Sequence, residues 1–177
     1  DLIYALLLAV ALVYMVMASQ FESLLHPFIV MFSIPFAVIG LVAALLITGT
    51  TFNIVAFVGG ILLVGLVVNN AIVLIDYVNL LRRRGMSLKE AIVKGGKTRL
   101  KPILMTSTTT ILGMIPMALG FATGAEIRAP MGRAIVGGLT TSTLVTLVLI
   151  PTLYWIIESR LEKRRKKYED AEKLQEA

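Results

Sequence analysis

From Ser23 to Ile75 the chain reads SLLHPFIVMFSIPFAVIGLVAALLITGTTFNIVAFVGGILLVGLVVNNAIVLI, a stretch of 53 residues without Asp, Glu, Lys or Arg. About 20 apolar residues are enough to cross the hydrocarbon core of a bilayer as a helix. The stretch therefore holds two crossings, which are separated by the polar turn Thr48-Gly49-Thr50-Thr51. No soluble fold explains an uncharged run of this length.

The composition extends this conclusion to the whole chain. Of the 177 residues, 57% are hydrophobic and 16% are charged, whereas about 25% are charged in an average soluble domain. The sequence has no cysteine and a single histidine, His26, so thiolate sites are excluded and histidine-built metal sites are not expected. The composition excludes a soluble enzyme, a disordered chain and a nucleic-acid-binding module. We expect no metal site and no nucleic-acid partner.

Three further uncharged windows cover residues 2–21, 102–125 and 134–157. Together with the first stretch they predict an all-α membrane protein with five transmembrane helices. The predicted spans are about 2–20, 28–48, 53–80, 101–121 and 132–158. Residues 1–158 thus form a transmembrane helical domain, and residues 159–177 form a tail that is first basic and then of mixed charge.

The distribution of basic residues predicts the orientation. Residues 82–101 contain eight Lys and Arg and residues 160–173 contain seven, so 15 of the 17 lie in the third connection or the tail. Short cytoplasmic loops retain positive charge. We therefore expect both segments, and with them the C-terminus, on the cytoplasmic side, where membrane lipids carry anionic headgroups. The loop from Gly120 to Arg133 is then expected on the outer side.

A short helix is predicted in the third connection. Ser87-Leu88-Lys89-Glu90 has the spacing of a capping box, and apolar residues follow at helical intervals. We expect this helix to lie on the cytoplasmic membrane surface and to end at Gly95-Gly96, before the fourth span begins.

Polar side chains within the spans are the candidate functional residues, because they are costly in lipid. On the third span, Gly65, Asn69, Ile72 and Asp76 follow one face at intervals of four, three and four residues, and Asn70 stands beside them. The two amides either join helices by hydrogen bonds or take part in function. For Asp76 a solvated carboxylate at the membrane surface is the simpler interpretation.

The fourth span carries a polar stripe. Arg99 precedes it, and hydroxyls at Thr106, Thr109 and Thr110 recur at helical spacing. Such hydroxyls either permit close helix packing, return hydrogen bonds to the preceding turn or carry chemistry.

Four motifs go beyond these general membrane patterns. They are ASQFESLLHP (18–27), VNNAIVLID (68–76), RLKPILMTS (99–107) and EIRAPMG (126–132). In order and spacing they resemble the last five transmembrane helices of the resistance-nodulation-division (RND) efflux permeases, and the hydrophobic/amphiphile (multidrug) branch fits better than the metal-exporting branch. The resemblance covers the chain from about residue 2 to residue 160.

The resemblance implies a trimeric antiporter of the inner membrane that uses the proton gradient to expel drugs or other amphiphiles. It implies no enzyme activity and no cofactor. The partners would be the N-terminal half and the porter domains of the same transporter, with a periplasmic adaptor and an outer-membrane channel as further candidates. Since the chain begins with Asp1 rather than Met, we expect it to be the C-terminal part of a longer protein.

The family also implies a proton relay, in which two aspartates outside this chain pair with a lysine, an arginine and a threonine. By motif, Arg99 and Thr106 take the positions of the arginine and the threonine, while Asn69 takes that of the lysine; Asn70 and Asp76 are secondary candidates. An amide can hydrogen-bond a carboxyl group but cannot neutralise two carboxylates. The alternative function is therefore a related lipid-sensing or scaffold membrane domain without a working relay.

Overall fold

The computed structural model describes residues 2–21, 23–121 and 124–175, with only the backbone described for Leu2 and residues 163–175. Five helical segments are long and apolar enough to cross a membrane, α2 and α3 together forming the second. This confirms the predicted all-α membrane protein with five transmembrane helices. The elements are α1 (Leu2–Phe21), α2 (Leu25–Met31), α3 (Ser33–Ile47), α4 (Ile54–Arg83), α5 (Leu88–Leu119) and α6 (Ala125–Gln175).

The second crossing is interrupted at Phe32, between α2 and α3. Pro35 has no amide hydrogen, so it cannot bond to the carbonyl of Met31 four residues earlier. At the break the Ser33 hydroxyl donates to the Val30 carbonyl at 2.6 Å, and the Phe32 amide donates to the Ile29 carbonyl at 3.3 Å. These local bonds satisfy polar groups that would otherwise be unpaired in lipid.

The fourth crossing is longer than predicted, because Gly95-Gly96 does not end the helix that precedes it. Ser87 caps the start of α5 by accepting a hydrogen bond from the Glu90 amide at 3.4 Å, in agreement with the capping-box spacing. From there α5 is continuous to Leu119. The prediction of a separate surface helix is therefore wrong. Gly95 is buried against Val78 of α4, and this packing outweighs the cost of about 1 kcal/mol for a glycine within a helix.

The helix of the fifth crossing begins at Ala125 rather than near residue 132, so the loop between α5 and α6 is shorter than the predicted Gly120–Arg133 segment. Arg133 therefore lies within α6 and connects three parts of the chain. Its Nε donates to the Ala118 carbonyl at 2.9 Å, and its Nη1 donates to the Thr50 hydroxyl at 2.6 Å. We call this side of the bundle the Arg133 end, and the opposite side, where α4 finishes, the Arg82 end.

The central helix is α6, against which α3, α4 and α5 all pack. The backbones of α3 and α6 approach each other closely at Gly40 and Gly137. A Cβ atom on Gly40 would lie 2.5 Å from the Thr141 hydroxyl oxygen and 2.7 Å from the Gly137 carbonyl oxygen. Small residues allow transmembrane backbones to come this close, and such packing holds helices together in lipid.

The orientation can be tested by cysteine labelling, because the natural sequence has no cysteine. Phe121 is 79% exposed in the outer loop, and Lys94 is exposed on the early turns of α5. We expect Phe121→Cys to react with a membrane-impermeant maleimide in intact cells, and Lys94→Cys to react only after the cells are permeabilised. The opposite labelling pattern would contradict the predicted topology.

Candidate functional site

A buried polar cluster joins α4, α5 and α6 near the middle of the bundle. Asn70 Nδ2 donates to the Ser107 hydroxyl oxygen at 3.1 Å, and the Thr143 hydroxyl donates to the same oxygen at 2.9 Å. Ser107 and Thr143 are 3% and 5% exposed, so the bonds are shielded from water and lipid. Of the two adjacent amides, it is therefore Asn70 that links the helices.

Thr106 lies at the edge of this cluster. Its hydroxyl oxygen is 3.5 Å from Asn70 Oδ1 but only 3.0 Å from the Ile103 carbonyl oxygen of its own helix. The shorter contact is the stronger hydrogen bond. The structure thus brings Thr106 and Asn70 together, with the hydroxyl mainly returned to the preceding turn of α5.

Asn69 and Asp76 lie on a different face of α4. Both residues are exposed, as is Gly65, which lies one turn before Asn69 on the same face. The described part of the chain thus leaves the polar positions of this face uncovered, while Ile72 between them is half-buried against the apolar core. The predicted alignment of these residues along one face is thus present. This face differs from the one on which Asn70 contacts α5.

Arg99 lies on α5 and contacts α4 at Tyr77, away from the polar cluster. Its guanidinium carbon lies 4.5 Å from the centroid of the Tyr77 ring. Its Nε is buried and has no hydrogen-bond partner among the described residues. Of the residues proposed from the sequence, Asn70 and Thr106 meet, while Asn69, Asp76 and Arg99 occupy separate positions.

A second network lies at the Arg82 end and holds α4 against α6. Arg82 Nη1 donates to Glu158 Oε2 at 2.7 Å, and its Nη2 donates to Glu162. His26 Nε2 lies 3.3 Å from the other oxygen of Glu158. The Glu158 side chain is 15% exposed, so this carboxylate is largely enclosed by the guanidinium and the imidazole.

The network continues through Asn79 and Tyr154 as a chain of oriented hydrogen bonds. Tyr154 donates to Asn79 Oδ1 at 2.5 Å, and Asn79 Nδ2 lies 3.3 Å from His26 Nδ1. An amide nitrogen can only donate, so His26 Nδ1 accepts and its Nε2 carries the proton toward Glu158. A cavity of about 330 Å³ adjoins these groups and is also lined by Asp76.

Comparison with known proteins places this chain in a family. The model of the AcrB/AcrD/AcrF family matches residues 1–158. The chain belongs to the AcrB/AcrD/AcrF family. This is the RND permease family that the four motifs resemble, and it is a family of transporters rather than enzymes.

Individual relatives agree with this assignment. The chain is 44% identical over 161 residues to the swarming motility protein SwrC of Bacillus subtilis (strain 168), covering 90% of this chain and 15% of that protein. It is 38% identical over 163 residues to the multidrug resistance protein MdtC of Erwinia tasmaniensis, covering 92% and 16%. The chain thus spans about one sixth or less of the length of these family members.

A solved structure shares the fold. The X-ray crystal structure of a heavy metal efflux pump superposes with a TM-score of 0.71 at 44% identity, covering 81% of this chain and 15% of that one. Family members that resemble this chain thus include proteins named for multidrug resistance and for metal efflux, so membership leaves the efflux branch open.

The network at the Arg82 end was not predicted from the sequence. His26 and Glu158 are 132 residues apart, and Asn79 and His26 are 53 apart, so no local pattern joins them. The one available signal was that His26 falls within the family motif of residues 18–27. Ser107 and Thr143 were also missed as partners of Asn70, because spacing along one helix does not reveal which face a neighbouring helix covers.

The two amides of α4 should differ in their effect on stability. We expect Asn70→Ala to destabilise the purified protein by about 0.6 to 1.7 kcal/mol, the range measured for hydrogen bonds between membrane helices. Asn69→Ala, one residue away and exposed, is the matched control and should have a smaller effect. Unfolding of both variants in detergent checks this. Equal losses would show that the hydrogen bond to Ser107 contributes nothing.

The arginines at the Arg82 end provide a second matched pair. Arg82→Ala removes the partner of two carboxylates, and charge-assisted hydrogen bonds contribute about 1.5 to 3 kcal/mol each. We therefore expect a clear fall in the thermal stability of this variant in detergent. Arg83→Ala removes an adjacent, exposed cation and should leave the melting temperature almost unchanged. A similar melting temperature for the two variants would contradict this assignment.

Proposed function

We propose that this chain is the C-terminal transmembrane half of a proton-driven RND transporter that exports drugs or other amphiphiles. Membership of a transporter family supports transport as the general function. Because the chain spans 15% to 16% of the length of its curated relatives, the coupling ion, the substrate and the assembly are proposals about a longer protein.

The observation that carries the proposal is the uncovered polar face of α4. Asn69 and Asp76 are exposed there, and Thr106 of α5 is exposed beside Asn70. Amide and carboxylate groups are expensive in contact with lipid. This face therefore suits another protein element that supplies polar partners, and the N-terminal half of an RND transporter, with its pair of aspartates, is such an element.

In this proposal Asn69 and Thr106 line one side of the proton relay, and Arg99 acts from nearer the cytoplasm. The neutral amide of Asn69 would hydrogen-bond a relay carboxyl group in either protonation state. The permanent charge of Arg99 would favour the ionised form of those carboxyl groups. Proton exchange would thus depend on carboxyl groups of the other half and on a cation from this half.

The same proposal includes the oligomeric state, the membrane and the partner proteins of the transporter. The transporter would be a homotrimer in the inner membrane with its C-terminus in the cytoplasm, and a periplasmic adaptor and an outer-membrane channel would complete the route. Amphiphiles are proposed as the substrates because the motifs fit the multidrug branch better. The similarity to a heavy metal efflux pump makes metal ions the substrate class to compare.

Transport by the full-length protein in proteoliposomes with an imposed pH gradient tests the proposal. We expect Thr106→Ala to lower proton-coupled export of a fluorescent amphiphile roughly fivefold, the effect of losing a hydrogen bond worth about 1 kcal/mol. Thr109→Ala is the matched control, because this exposed hydroxyl also bonds to a carbonyl of its own helix, that of Met105, at 2.8 Å. It should leave export unchanged.

Asn69→Lys then tests the expected aspartate pair. With two carboxylates opposite, the new ammonium gains counter-charges, and the variant should be stable with a shifted pH optimum. Without them, a lone ammonium at mid-membrane costs about 2.5 to 3.5 kcal/mol, and the amount of folded protein should fall.

Equal export by the Thr106→Ala and Thr109→Ala variants, or export that does not depend on the pH gradient, would contradict the proposed relay. Export of metal ions but not amphiphiles would contradict the substrate class alone.

A further inference from the structure

The surroundings of Arg99 are unusual for a charged side chain within a membrane protein. The guanidinium carbon lies 4.5 Å from the centroid of the Tyr77 ring, while Nε is buried without a hydrogen-bond partner in the described part of the chain. Arginine remains charged under all physiological conditions. An aromatic ring attracts a cation through the negative potential of its face, and the attraction strengthens when water is excluded. Tyr77 is therefore the group that this structure provides to stabilise the charge.

The packing of α4 and α5 brings the two residues together. Gly95 lies one helical turn before Arg99, and a Cβ atom at Gly95 would be 2.6 Å from Val78 Cγ2, next to Tyr77 in the sequence. A Cβ atom at Gly96 would meet nothing within 4 Å. The absence of a side chain at Gly95 thus allows α5 to approach α4 closely enough for Arg99 to lie over the ring.

We propose that Tyr77 is a positioning residue that holds Arg99 in place for proton coupling, an inference that rests on the function proposed above. A ring face attracts the guanidinium without accepting its in-plane hydrogen bonds. The terminal N–H groups of the guanidinium are therefore not engaged by the ring, and they would be available to a carboxylate or other acceptor from the rest of the transporter. A carboxylate of α4 in the place of Tyr77 would instead have occupied those donors.

The other charged groups near this contact are on the surface. Asp76 precedes Tyr77 on α4, and Lys97 and Lys101 flank Arg99 on α5; all three are exposed. Lys97 and Lys101 are therefore screened by water and salt more strongly than the half-buried guanidinium. Asp76 lies on the face of α4 that is proposed to meet the other half of the transporter, and its charge is the same in every variant compared below. A shift of the pH profile among those variants should consequently report the position of Arg99.

The test compares Tyr77→Leu, Tyr77→Met and Tyr77→Phe in the full-length transporter, with Arg99→Ala as the reference. Amphiphile export in proteoliposomes is measured as a function of pH and normalised to the amount of inserted protein. Opposite charge lowers the pKa of a carboxyl group. Displacing Arg99 should therefore move the midpoint of the pH profile of export upward, by about 0.5 to 1 unit.

We expect this upward shift for Tyr77→Leu and Tyr77→Met and a profile close to the natural one for Tyr77→Phe, which keeps the ring face. Gly95→Ala should shift the profile in the same direction, and Gly96→Ala is its matched control. Equal profiles for the Leu and Phe variants would overturn the proposal, as would loss of both the Leu and Met variants from the membrane, since the ring would then serve the fold. An unchanged profile for Arg99→Ala would instead overturn the relay role on which the proposal rests.

Discussion

The close contact of α3 with α6 is the constraint on which the other contacts of the bundle depend. Apolar side chains gain little by leaving lipid for one another, so membrane helices associate through close packing and polar bonds. Gly40 and Gly137 allow the two backbones to meet. The next residue of α6, Gly138, would overlap Leu63 of α4 if it carried a Cβ atom. Gly137 thus lies against α3, and Gly138 lies against both the Ala37 carbonyl oxygen of α3 and Leu63 of α4.

This packing decides which polar residues become structural and which stay available. Once α4 lies against α6, Asn70 faces inward and shares the Ser107 oxygen with Thr143. Asn69 is one residue away, which is about 100° around the helix, and it is exposed. Two adjacent amides of α4 therefore have different surroundings: Asn70 bonds to another helix, and Asn69 is exposed.

The sequence predicts the crossings well because an uncharged window of fixed length is a direct consequence of bilayer thickness. The sequence predicts helix ends less well, because tertiary contacts help to determine where a helix ends. Gly95-Gly96 reads locally as a helix end, yet contact with Val78 keeps the helix continuous. The break at Phe32, in contrast, has a local cause in Pro35, which lacks the amide hydrogen needed to continue the helix.

The candidate site was predictable only in part, for the same reason. The family motifs indicated Asn69, Arg99 and Thr106. Spacing along α4 could not show, however, that Asn70 bonds to another helix while Asn69 is exposed. The stacking of Arg99 on Tyr77 depends on the approach of α5 to α4 at Gly95. The sequence did not predict this approach, because it placed a helix end at Gly95-Gly96. The relay itself stays a prediction, because the pair of aspartates that the family resemblance implies is not in this chain.

The strongest and weakest bonds between the helices are found at different depths. At one end of the bundle, the Arg133 guanidinium bonds to a carbonyl and a hydroxyl. At the other end, the Arg82 guanidinium bonds to two carboxylates. Near Asn70 the bonds are neutral, and neutral bonds between membrane helices average about 0.6 kcal/mol, against 1.5 to 3 for charged ones. In the proposed transporter, a change of charge beside Asn69 would act at the depth of these weak bonds. Because both ends are held more strongly, the response of α4 and α5 would be concentrated in the middle of the helices, where the relay is proposed to lie.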